Sequence, residues 1–545
     1  MRKLLLLFSI GVMLALGGCA EEKPCIAEKG IVCYNEEAQQ YQVEEGAKIR
    51  VMVENEAYGQ ALEELWNKEH PEQTDVIEPI VVQSFDAATW LGYKTDIALL
   101  WSNDAAQIIN NFMPVQPELE AVIQEHAPRQ FGELLNVDGL RYVPMSYYGL
   151  VFSTNMTMLS EMGYDVSDEN DDGLVDQFDS FEELMKLADE WGGQARTYHE
   201  RQMEAVFPFA ISELWASMVF LSADDFRFFA SQDALISGME TEEFLEALKF
   251  LRAMGEHSWY LYSEESAGEE QPEVSDVEDE NSRDTDSELP VVDSESEVES
   301  EEFPPESNNV KESQDSSEEE EEIILPYQIK NDRAFDGGWL YDVYLEKLIS
   351  PFSLVGTWMY YNQQEDIEQQ DFYFSPMPSW KEKILSPLAK TKGYLLSAGT
   401  KYPSAANEVY RIIRSEAGIQ AYIDTVDEIP AVTQVDRLEN RPNLETEENE
   451  EGKESQTIEP YYLAFRNENQ RQISYAFSFS QEESMVAFEK DPSVRGWDML
   501  SEIGLIEIAQ QVIKQEITPE EAQLELLENS ENWMKPFKPV DEELE

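Results

Sequence analysis

Residues 393–413 have the sequence GYLLSAGTKYPSAANEVYRII, and this stretch contains the pattern that decides the fold. Its first part, residues 394–399, is short and apolar, which is typical of a strand buried on both faces. An amphipathic helix is predicted over residues 406–413, directly after that strand. A buried strand followed by a helix is the repeating unit of α/β proteins, so this class of fold is expected.

The same alternation of strand and helix continues on both sides of this stretch. Strands are predicted over residues 49–53 (IRVMV), 95–101 (TDIALLW), 149–154 (GLVFST) and 372–377 (FYFSPM). Near the C-terminus, Thr518 is followed by a proline and two glutamates, which combines an N-cap with a capping box and predicts the start of a helix. The sequence therefore predicts an α/β fold with open sheets.

The length and charge of the chain indicate how many lobes it can form and which partners it excludes. The chain has 545 residues and is 42% hydrophobic, which is enough to build two lobes, each with its own core. It carries 113 acidic against 38 basic residues, a formal net charge of -75. A surface this negative repels nucleic acid and anionic lipid, so neither is an expected partner.

Two acidic tracts, residues 264–322 and 439–455, interrupt the globular pattern. Both contain few aliphatic or aromatic residues, so they cannot bury enough apolar surface to offset the entropy lost on ordering. Like charges also repel along each tract. Both tracts are therefore predicted to be disordered inserts on the surface of a single fold.

The N-terminus has the features of a bacterial export signal. Arg2 and Lys3 precede an apolar run that is too short to span a bilayer. The segment LGGC, residues 16–19, resembles the lipobox of bacterial lipoproteins, in which the preceding peptide is removed and the cysteine thiol carries lipid such as palmitate. This resemblance implies a signal peptide over residues 1–18 and a mature protein that begins at Cys19. The alternative is an ordinary secretory signal with a chance cysteine.

Lipid on Cys19 would anchor the protein to the extracytoplasmic face of the cell membrane, because no other stretch is apolar for long enough to cross it. Residues 19–47 would then form a tether. Cys25 and Cys33 lie within it, and they either close a small disulfide loop in an oxidising compartment or remain free thiols.

Six segments, the last of them the stretch quoted first, carry a resemblance to a known family: TDIALLWSND (95–104), YVPMSYYGLVFSTN (142–155), ISELWASMVF (211–220), VGTWMYY (355–361), SPMPSWKEK (375–383) and GYLLSAGTKYPSAANEVYRII (393–413). Their order and spacing resemble the extracellular solute-binding proteins of ABC importers, specifically the maltose/maltodextrin-binding type. The resemblance extends from about residue 48 to the C-terminus, outside the two acidic tracts.

This resemblance implies two α/β lobes joined by strands that cross between them, with ligand held in the cleft and enclosed by hinge bending. The first lobe would comprise residues 48–150 and 386–460, and the second would comprise residues 151–263, 323–385 and 461–545. The crossings are expected near residues 148–155 and 392–399.

The resemblance also implies a sugar site, in which aromatic faces stack on pyranose rings and acidic groups bind the hydroxyls. The implied ligand-binding residues are Trp358, Tyr360, Trp215, Glu213, Trp101, Asp104 and Tyr148. Tyr148 stands where a family member has a hinge-strand glutamate, and Ala105 replaces an arginine. A longer or differently linked oligosaccharide is therefore as compatible with these residues as a maltodextrin. For each tryptophan the alternative is packing in the core.

Together these features predict a lipid-anchored substrate-binding component of an ABC sugar importer, which passes an oligosaccharide to membrane permease subunits. One alternative is a lipoprotein scaffold whose acidic insert mediates protein interaction. Another is an extracellular enzyme that acts on glycans. No enzyme is expected, because the four histidines are scattered and no HExxH, GxSxG or P-loop pattern occurs.

Residues 168–179, DENDDGLVDQFD, match the calcium loop of an EF-hand. Glycine is expected at position six, here Gly173, and oxygen ligands are expected from Asp168, Asn170, Asp172, the carbonyl of Leu174, Asp176 and Asp179. The last position usually carries glutamate, and aspartate is shorter. The alternative is a solvated acidic turn. The motif predicts a Ca²⁺ ion that stabilises the second lobe without contacting sugar.

Overall fold

The computed structural model describes residues 31–126, 135–136, 139–169, 173–212, 214–222, 226, 229–230, 236–262, 325–330, 332–335, 347–358, 370–385, 387, 389–432, 439–440, 464–484 and 499–537. The signal peptide with Cys19, Cys25 and the acidic tract of residues 264–322 lie outside these ranges. The tract of residues 439–455 also lies outside them except for Glu439 and Asn440, which were predicted to be disordered but pair with Ala464 and Phe465. Within these ranges, no helix has both the length and the apolar composition needed to span a bilayer.

The strands, in chain order, are β1 (Tyr34–Asn35), β2 (Gln40–Tyr41), β3 (Ile49–Val53), β4 (Ile77–Val81), β5 (Ile97–Trp101), β6 (Phe112–Met113), β7 (Val143–Tyr148), β8 (Leu150–Asn155), β9 (Thr197–Tyr198), β10 (Arg201–Gln202), β11 (Phe352–Gly356), β12 (Phe372–Ser375), β13 (Ser379–Trp380), β14 (Lys383–Ile384), β15 (Lys390–Ser397), β16 (Ile429–Pro430), β17 (Glu439–Asn440) and β18 (Ala464–Phe465).

The helices, in chain order, are α1 (Glu56–Glu69), α2 (Ala87–Tyr93), α3 (Ser102–Ile108), α4 (Pro117–His126), α5 (Met156–Glu161), α6 (Phe181–Trp191), α7 (Leu214–Leu221), α8 (Glu242–Gly255), α9 (Tyr327–Lys330), α10 (Pro403–Ile413), α11 (Glu416–Thr425), α12 (Glu468–Ser484), α13 (Leu505–Ile513) and α14 (Pro519–Met534). The predicted capping box is present at the start of α14, between Thr518 and Glu521.

The first lobe is built on a sheet with the strand order β16-β7-β15-β5-β3-β4, and β6 pairs with β15. Strands β4, β3 and β5 are parallel, while β15 is antiparallel to both β5 and β7. Strand β7 therefore runs parallel to β5. As a result, β3, β4, β5 and β7 all end at one edge of the sheet, and β15 begins there.

The second lobe has a smaller antiparallel sheet with the order β11-β8-β12. Its hydrophobic core combines this sheet with the buried faces of α6, α7, α8, α13 and α14. A separate core lies in the first lobe and includes residues of β3, β5, β15 and α10. Two sheets with separate cores confirm the predicted two-lobed α/β fold.

The lobes are joined where β7 leads into β8. Tyr148 ends β7 in the first-lobe sheet, and Leu150 begins β8 in the second-lobe sheet, with only Gly149 between them. This crossing lies where it was expected. The second crossing was expected near residues 392–399, with the lobe boundary between residues 385 and 386, and the whole of β15 is hydrogen-bonded into the first-lobe sheet. The chain therefore crosses before Lys390.

Residues 31–47 were expected to form a tether, but they pack on the first lobe. The backbone N–H of Cys33 donates to Ser404 Oγ at 2.7 Å. The carboxylate of Glu44, only 3% exposed, accepts hydrogen bonds from the backbone N–H groups of Ser404 (2.9 Å) and Ala405 (2.8 Å). Glu44 thus satisfies orphan donors in the first turn of α10. Cys33 is in a disulfide, whose partner lies outside the described ranges.

Replacing Glu44 with alanine is expected to lower the free energy of unfolding by about 1–3 kcal/mol, because two backbone donors of α10 lose a charged acceptor. Urea denaturation of the purified protein measures this change. Glu45→Ala is the matched control, since Glu45 is exposed. Equal effects of the two substitutions would show that the docking of residues 31–47 does not depend on Glu44.

Candidate functional site

The parallel strands of the first-lobe sheet all end at one edge, and they bring several side chains to it. Glu54 follows β3, Trp101 ends β5 and Tyr148 ends β7. Phe85 follows β4 and is held beside the end of β5, because its carbonyl accepts a hydrogen bond from the backbone N–H of Trp101 at 2.9 Å. In open α/β sheets, ligands bind beyond the carboxyl ends of the strands. This edge is therefore the candidate site.

The second lobe contributes Trp358 to the same edge. Its ring stacks on Tyr148, with centroids 5.0 Å apart and an interplanar angle of 15°. Tyr148 meets Trp101 at 4.9 Å and 81°, and Trp101 meets Phe85 at 6.4 Å and 90°. All four side chains are half-buried. Phe85, Trp101, Tyr148 and Trp358 form what we name the aromatic row, which runs from the first lobe through the hinge to the second.

Two lysines of β15 lie beside the aromatic row. Lys392 is directly opposite Trp101 in the β5-β15 ladder, and Lys390 is directly opposite Tyr148 in the β7-β15 ladder. The Nζ of Lys390 lies 4.4 Å from the centre of the Trp101 ring. The Nζ of Lys392 lies 4.1 Å from the centre of the Phe85 ring and 5.2 Å from that of Trp101. Both distances for Lys392 are within cation-π range.

A buried ion-pair cluster holds Lys392. Its Nζ lies 3.1 Å from Glu54 Oε1 and 2.5 Å from Glu428 Oε1. The hydroxyl of Tyr422, on α11, lies 2.7 Å from Glu54 Oε1 and 2.8 Å from Glu428 Oε2, and can donate to either. We name Lys392, Glu54, Glu428 and Tyr422 the lysine cluster. It joins the end of β3 to β15 and to the segment before β16.

Burial and charge set the ionisation of this cluster. Burial raises the pKa of Glu54, and the nearby Glu428 carboxylate also raises it, while Lys392 opposes both without cancelling them. Burial lowers the pKa of the Lys392 ammonium, but Glu428 and Glu54 outweigh it, so the net direction is upward. Lys392 therefore stays charged at neutral pH, and Glu54 takes up a proton more readily than an exposed glutamate.

The remaining predicted sugar-site residues have different positions. Asp104 lies on α3, three residues after Trp101, and its Oδ1 accepts a hydrogen bond from the backbone N–H of Ala87 at 3.3 Å. Trp215 lies on α7 and packs against the core of the second lobe. Glu213 and Tyr360 lie outside the described ranges. The structure thus brings together Trp101, Tyr148 and Trp358, while Asp104 lies in the first turn of the helix that follows Trp101.

Phe85, Glu54 and both lysines were not predicted as site residues from the sequence. The available signal was the pair of lysines in KTKGYLLS, two residues apart on the strand that continues into the apolar run. Alternating positions of a strand share one face, so the two ammonium groups had to lie on the same side of the sheet. Nothing local indicated which aromatic rings and carboxylates would face them.

The loop matched to a calcium site turns at Gly173, whose φ of +88° favours glycine. Asp168 Oδ2 accepts a hydrogen bond from the Gly173 N–H at 3.0 Å, and the Asp176 carboxylate accepts one from the Glu169 N–H at 3.1 Å. Among the described residues, Asp168 Oδ1 is a buried oxygen without a hydrogen-bond partner. An unpaired buried carboxylate oxygen fits a bound cation. Asn170 and Asp172 lie outside the described ranges.

A second group of possible metal ligands, Glu69, His70 and Glu408, places its ligand atoms within 4.8 Å of one another. Arg411 already forms ion pairs with Glu69 and Glu408, and His70 Nε2 lies 2.9 Å from Glu408 Oε1. Burial raises the pKa of Glu408, but its bonds to His70 and Arg411 outweigh burial and lower it overall. The guanidinium supplies the positive charge here, so this group is an ion-pair network.

Three solved structures share this fold. The extracellular solute-binding protein from Staphylococcus aureus, in complex with maltose, has a TM-score of 0.55 and 10% sequence identity. The maltose-binding periplasmic protein from Listeria monocytogenes, in complex with maltose, has a TM-score of 0.56 and 11% identity. A cyclo/maltodextrin-binding protein complexed with maltotetraose has a TM-score of 0.54 and 11% identity. Each match covers 91% of this chain and 100% of the other chain.

No protein-family model matches the sequence, and no curated protein matches it. Because the sequence identities are only 10–11%, the similarity to these structures concerns the fold alone. That similarity covers both lobes and the crossing between them. The chain therefore has the two-lobed fold of extracellular solute-binding proteins.

Proposed function

We propose that this protein is the substrate-binding component of an ABC sugar importer and that it captures a maltodextrin-like oligosaccharide between its lobes. The aromatic row carries this proposal, because half-buried rings from both lobes meet at the edge of the sheet where α/β proteins bind ligands. Aromatic faces are the surfaces on which pyranose rings stack. The structures that share the fold contain maltose or maltotetraose, which supports the same class of ligand.

Sugar binding requires the aromatic row to open. Tyr148 and Trp358 stack at 5.0 Å, whereas a pyranose between them would need a separation of roughly 7–8 Å, because carbon atoms in contact lie about 3.5–4 Å apart. Trp358 follows a strand of the second-lobe sheet, and Tyr148 ends a strand of the first-lobe sheet. Bending at the 148–150 crossing separates the two rings, and closure presses them onto the sugar.

The proposal includes a lipid anchor on Cys19 that holds the protein at the extracytoplasmic face of the membrane, near its permease partners. The lipobox-like segment supports it. The described fold begins at residue 31, so eleven residues, 20–30, lie between Cys19 and the first described residue. Fully extended, this stretch would span at most roughly 40 Å, which keeps the cleft close to the membrane surface.

The three histidines whose side chains the structure describes each have an acidic partner. His70 is paired with Glu408, His199 with Glu161, and His257 with Asp189. These pairs involve separate segments of the chain and do not form a shared catalytic group.

A thermal-shift panel of maltose, maltotriose, maltotetraose, isomaltose and cellobiose tests the function. A sugar at one hundred times its Kd stabilises the protein by about 2.7 kcal/mol, so at least one maltodextrin is expected to raise the melting temperature. Isothermal titration calorimetry then gives its affinity, and a reducing-sugar assay is expected to show no hydrolysis. Indifference to all five sugars, or release of reducing ends, would contradict the proposal.

We further propose that Ca²⁺ binds the loop of residues 168–179 and stabilises the second lobe. The orphaned Oδ1 of Asp168 and the turn at Gly173 support this assignment. Of the proposed ligands, the side chains of Asp168, Asp176 and Asp179 and the carbonyl of Leu174 lie within the described ranges. Hard oxygen ligands of this kind suit Ca²⁺.

Chelation of calcium is expected to lower the melting temperature, and millimolar Ca²⁺ is expected to restore it, since an ion that binds only the folded state stabilises it by mass action. Asp168→Ala combined with Asp172→Ala should abolish this response with sugar affinity nearly unchanged. Glu169→Ala is the control, because position two of the loop is not a ligand position. A melting curve that ignores both Ca²⁺ and chelator would rule out the site.

A further inference from the structure

The lysine cluster lies directly under the first-lobe end of the aromatic row. Lys392 has a side chain with 0% exposure, so its ammonium cannot reach a ligand in the cleft. Its cross-strand neighbour is Trp101, and its nearest ring is Phe85. Cross-strand side chains on one face of a sheet contact each other directly. Lys392 can therefore influence a bound sugar only through the rings above it.

The Lys392 ammonium contacts carboxylates on one side and aromatic rings on the other. Glu54 and Glu428 bind it from the carboxylate side, at 3.1 and 2.5 Å. Phe85 and Trp101 present ring faces to it at 4.1 and 5.2 Å. A desolvated cation held over aromatic rings attracts them more strongly than an exposed one. This arrangement restricts the orientation of both rings.

Stability alone does not explain such a cluster. Burying three charged groups costs solvation free energy, and replacing a buried ion-pair group with uncharged side chains of similar size is often neutral or stabilising. Stability is therefore not a sufficient reason for this cluster, and its contact with the rings of Phe85 and Trp101 points to a role in the cleft.

We propose that Lys392 is a positioning residue of the sugar site, which holds Phe85 and Trp101 in the orientation that stacks on a sugar while Glu54 and Glu428 balance its charge. The proposal rests on the proposed function, because it concerns the same aromatic row. It assigns to the lysine cluster an effect on sugar affinity that is separate from its effect on folding.

The test uses the full-length mature protein and a neutral triple variant, Lys392→Met with Glu54→Gln and Glu428→Gln. This variant removes the ammonium and both carboxylates together, so no buried charge is left unpaired. We expect its melting temperature to stay within a few degrees of the parent and its affinity for maltotetraose, measured by calorimetry, to fall by about tenfold.

Lys381→Met with Glu246→Gln is the matched control. It removes a lysine that lies 5.4 Å from the centre of the Trp380 ring, outside the aromatic row, together with its carboxylate partner, so maltotetraose affinity should stay within about twofold of the parent. A triple variant that binds like the parent would overturn the proposal, because the rings would then hold their position without the ammonium. A triple variant that fails to fold would also overturn it, because the cluster would then be a requirement of the fold. A parent that binds no sugar would instead contradict the proposed function.

Discussion

Trp358→Ala is expected to weaken maltotetraose binding by about 1–3 kcal/mol while the protein still folds. Trp358 is the member of the aromatic row that comes from the second lobe, and it stacks on Tyr148 at 5.0 Å. Its side chain is only half-buried, so its loss removes ligand contact more than core packing. Calorimetry of the variant and its melting temperature together decide the outcome. Unchanged affinity with a large fall in melting temperature would show that Trp358 is a core residue.

Gly356→Ala provides an independent check on the same ring. A Cβ atom at position 356 would lie against the indole of Trp358, closer than atoms in contact allow. The ring would have to move while the tryptophan itself remained. A loss of affinity in this variant too would show that the position of the indole matters as well as its presence.

Trp259→Ala is expected to lower the free energy of unfolding by about 3–5 kcal/mol, the cost of emptying a large core position. Trp259 is 0% exposed, its ring packs against Phe207 and Phe209, and its Nε1–H donates to the carbonyl of Met254 at 2.7 Å. Urea denaturation at low temperature measures the loss. Any variant that remains folded should bind maltotetraose with nearly the parental affinity.

The two tryptophan variants serve as controls for each other. Both remove one indole from the same lobe, yet Trp358 is half-buried and stacks on Tyr148 of the first lobe, whereas Trp259 is fully buried in the core of the second lobe. A destabilisation of under about 1 kcal/mol by Trp259→Ala would mean that the second lobe relaxes into the space left, and the packing described for its core would be wrong.

Much of the fold was predictable because its signals are local. The strand predicted over residues 49–53 coincides with β3, and that over 95–101 contains β5. The capping box at Thr518 marks the start of α14 as expected. Apolar runs and helix caps act over a few residues, so they can be recognised without knowledge of the rest of the chain.

The prediction for β15 shows where local signals fail. The apolar run suggested a strand over residues 394–399, yet β15 is Lys390–Ser397. Its first residues include two lysines, and a polar start is not typical of a buried strand. Lys392 is nevertheless buried, because Glu54 and Glu428 neutralise it and rings cover it. The distant partners therefore decided where this strand begins.

Four of the predicted sugar-site residues, Trp101, Asp104, Tyr148 and Trp358, were named from the order of segments in the chain. The structure adds that the rings of Trp101, Tyr148 and Trp358 touch one another across the hinge. Position in a motif places a residue at the end of a strand, but contact between rings depends on how two lobes are joined. The contacts of Lys392 with Phe85 and Glu54 were not predicted from the sequence.

The sequence by itself determined the α/β class, the presence of β3, β5, β8, β12 and β15, and the start of α14, because hydrophobic period and capping are properties of neighbouring residues. Only the tertiary structure decided that Glu44 caps a helix about 360 residues away and that Lys392 is buried between Glu54 and Glu428. The physical reason is that a charge is buried only where its partners are brought to it. Those partners come from segments far apart in the chain, and no local pattern records which of them will meet.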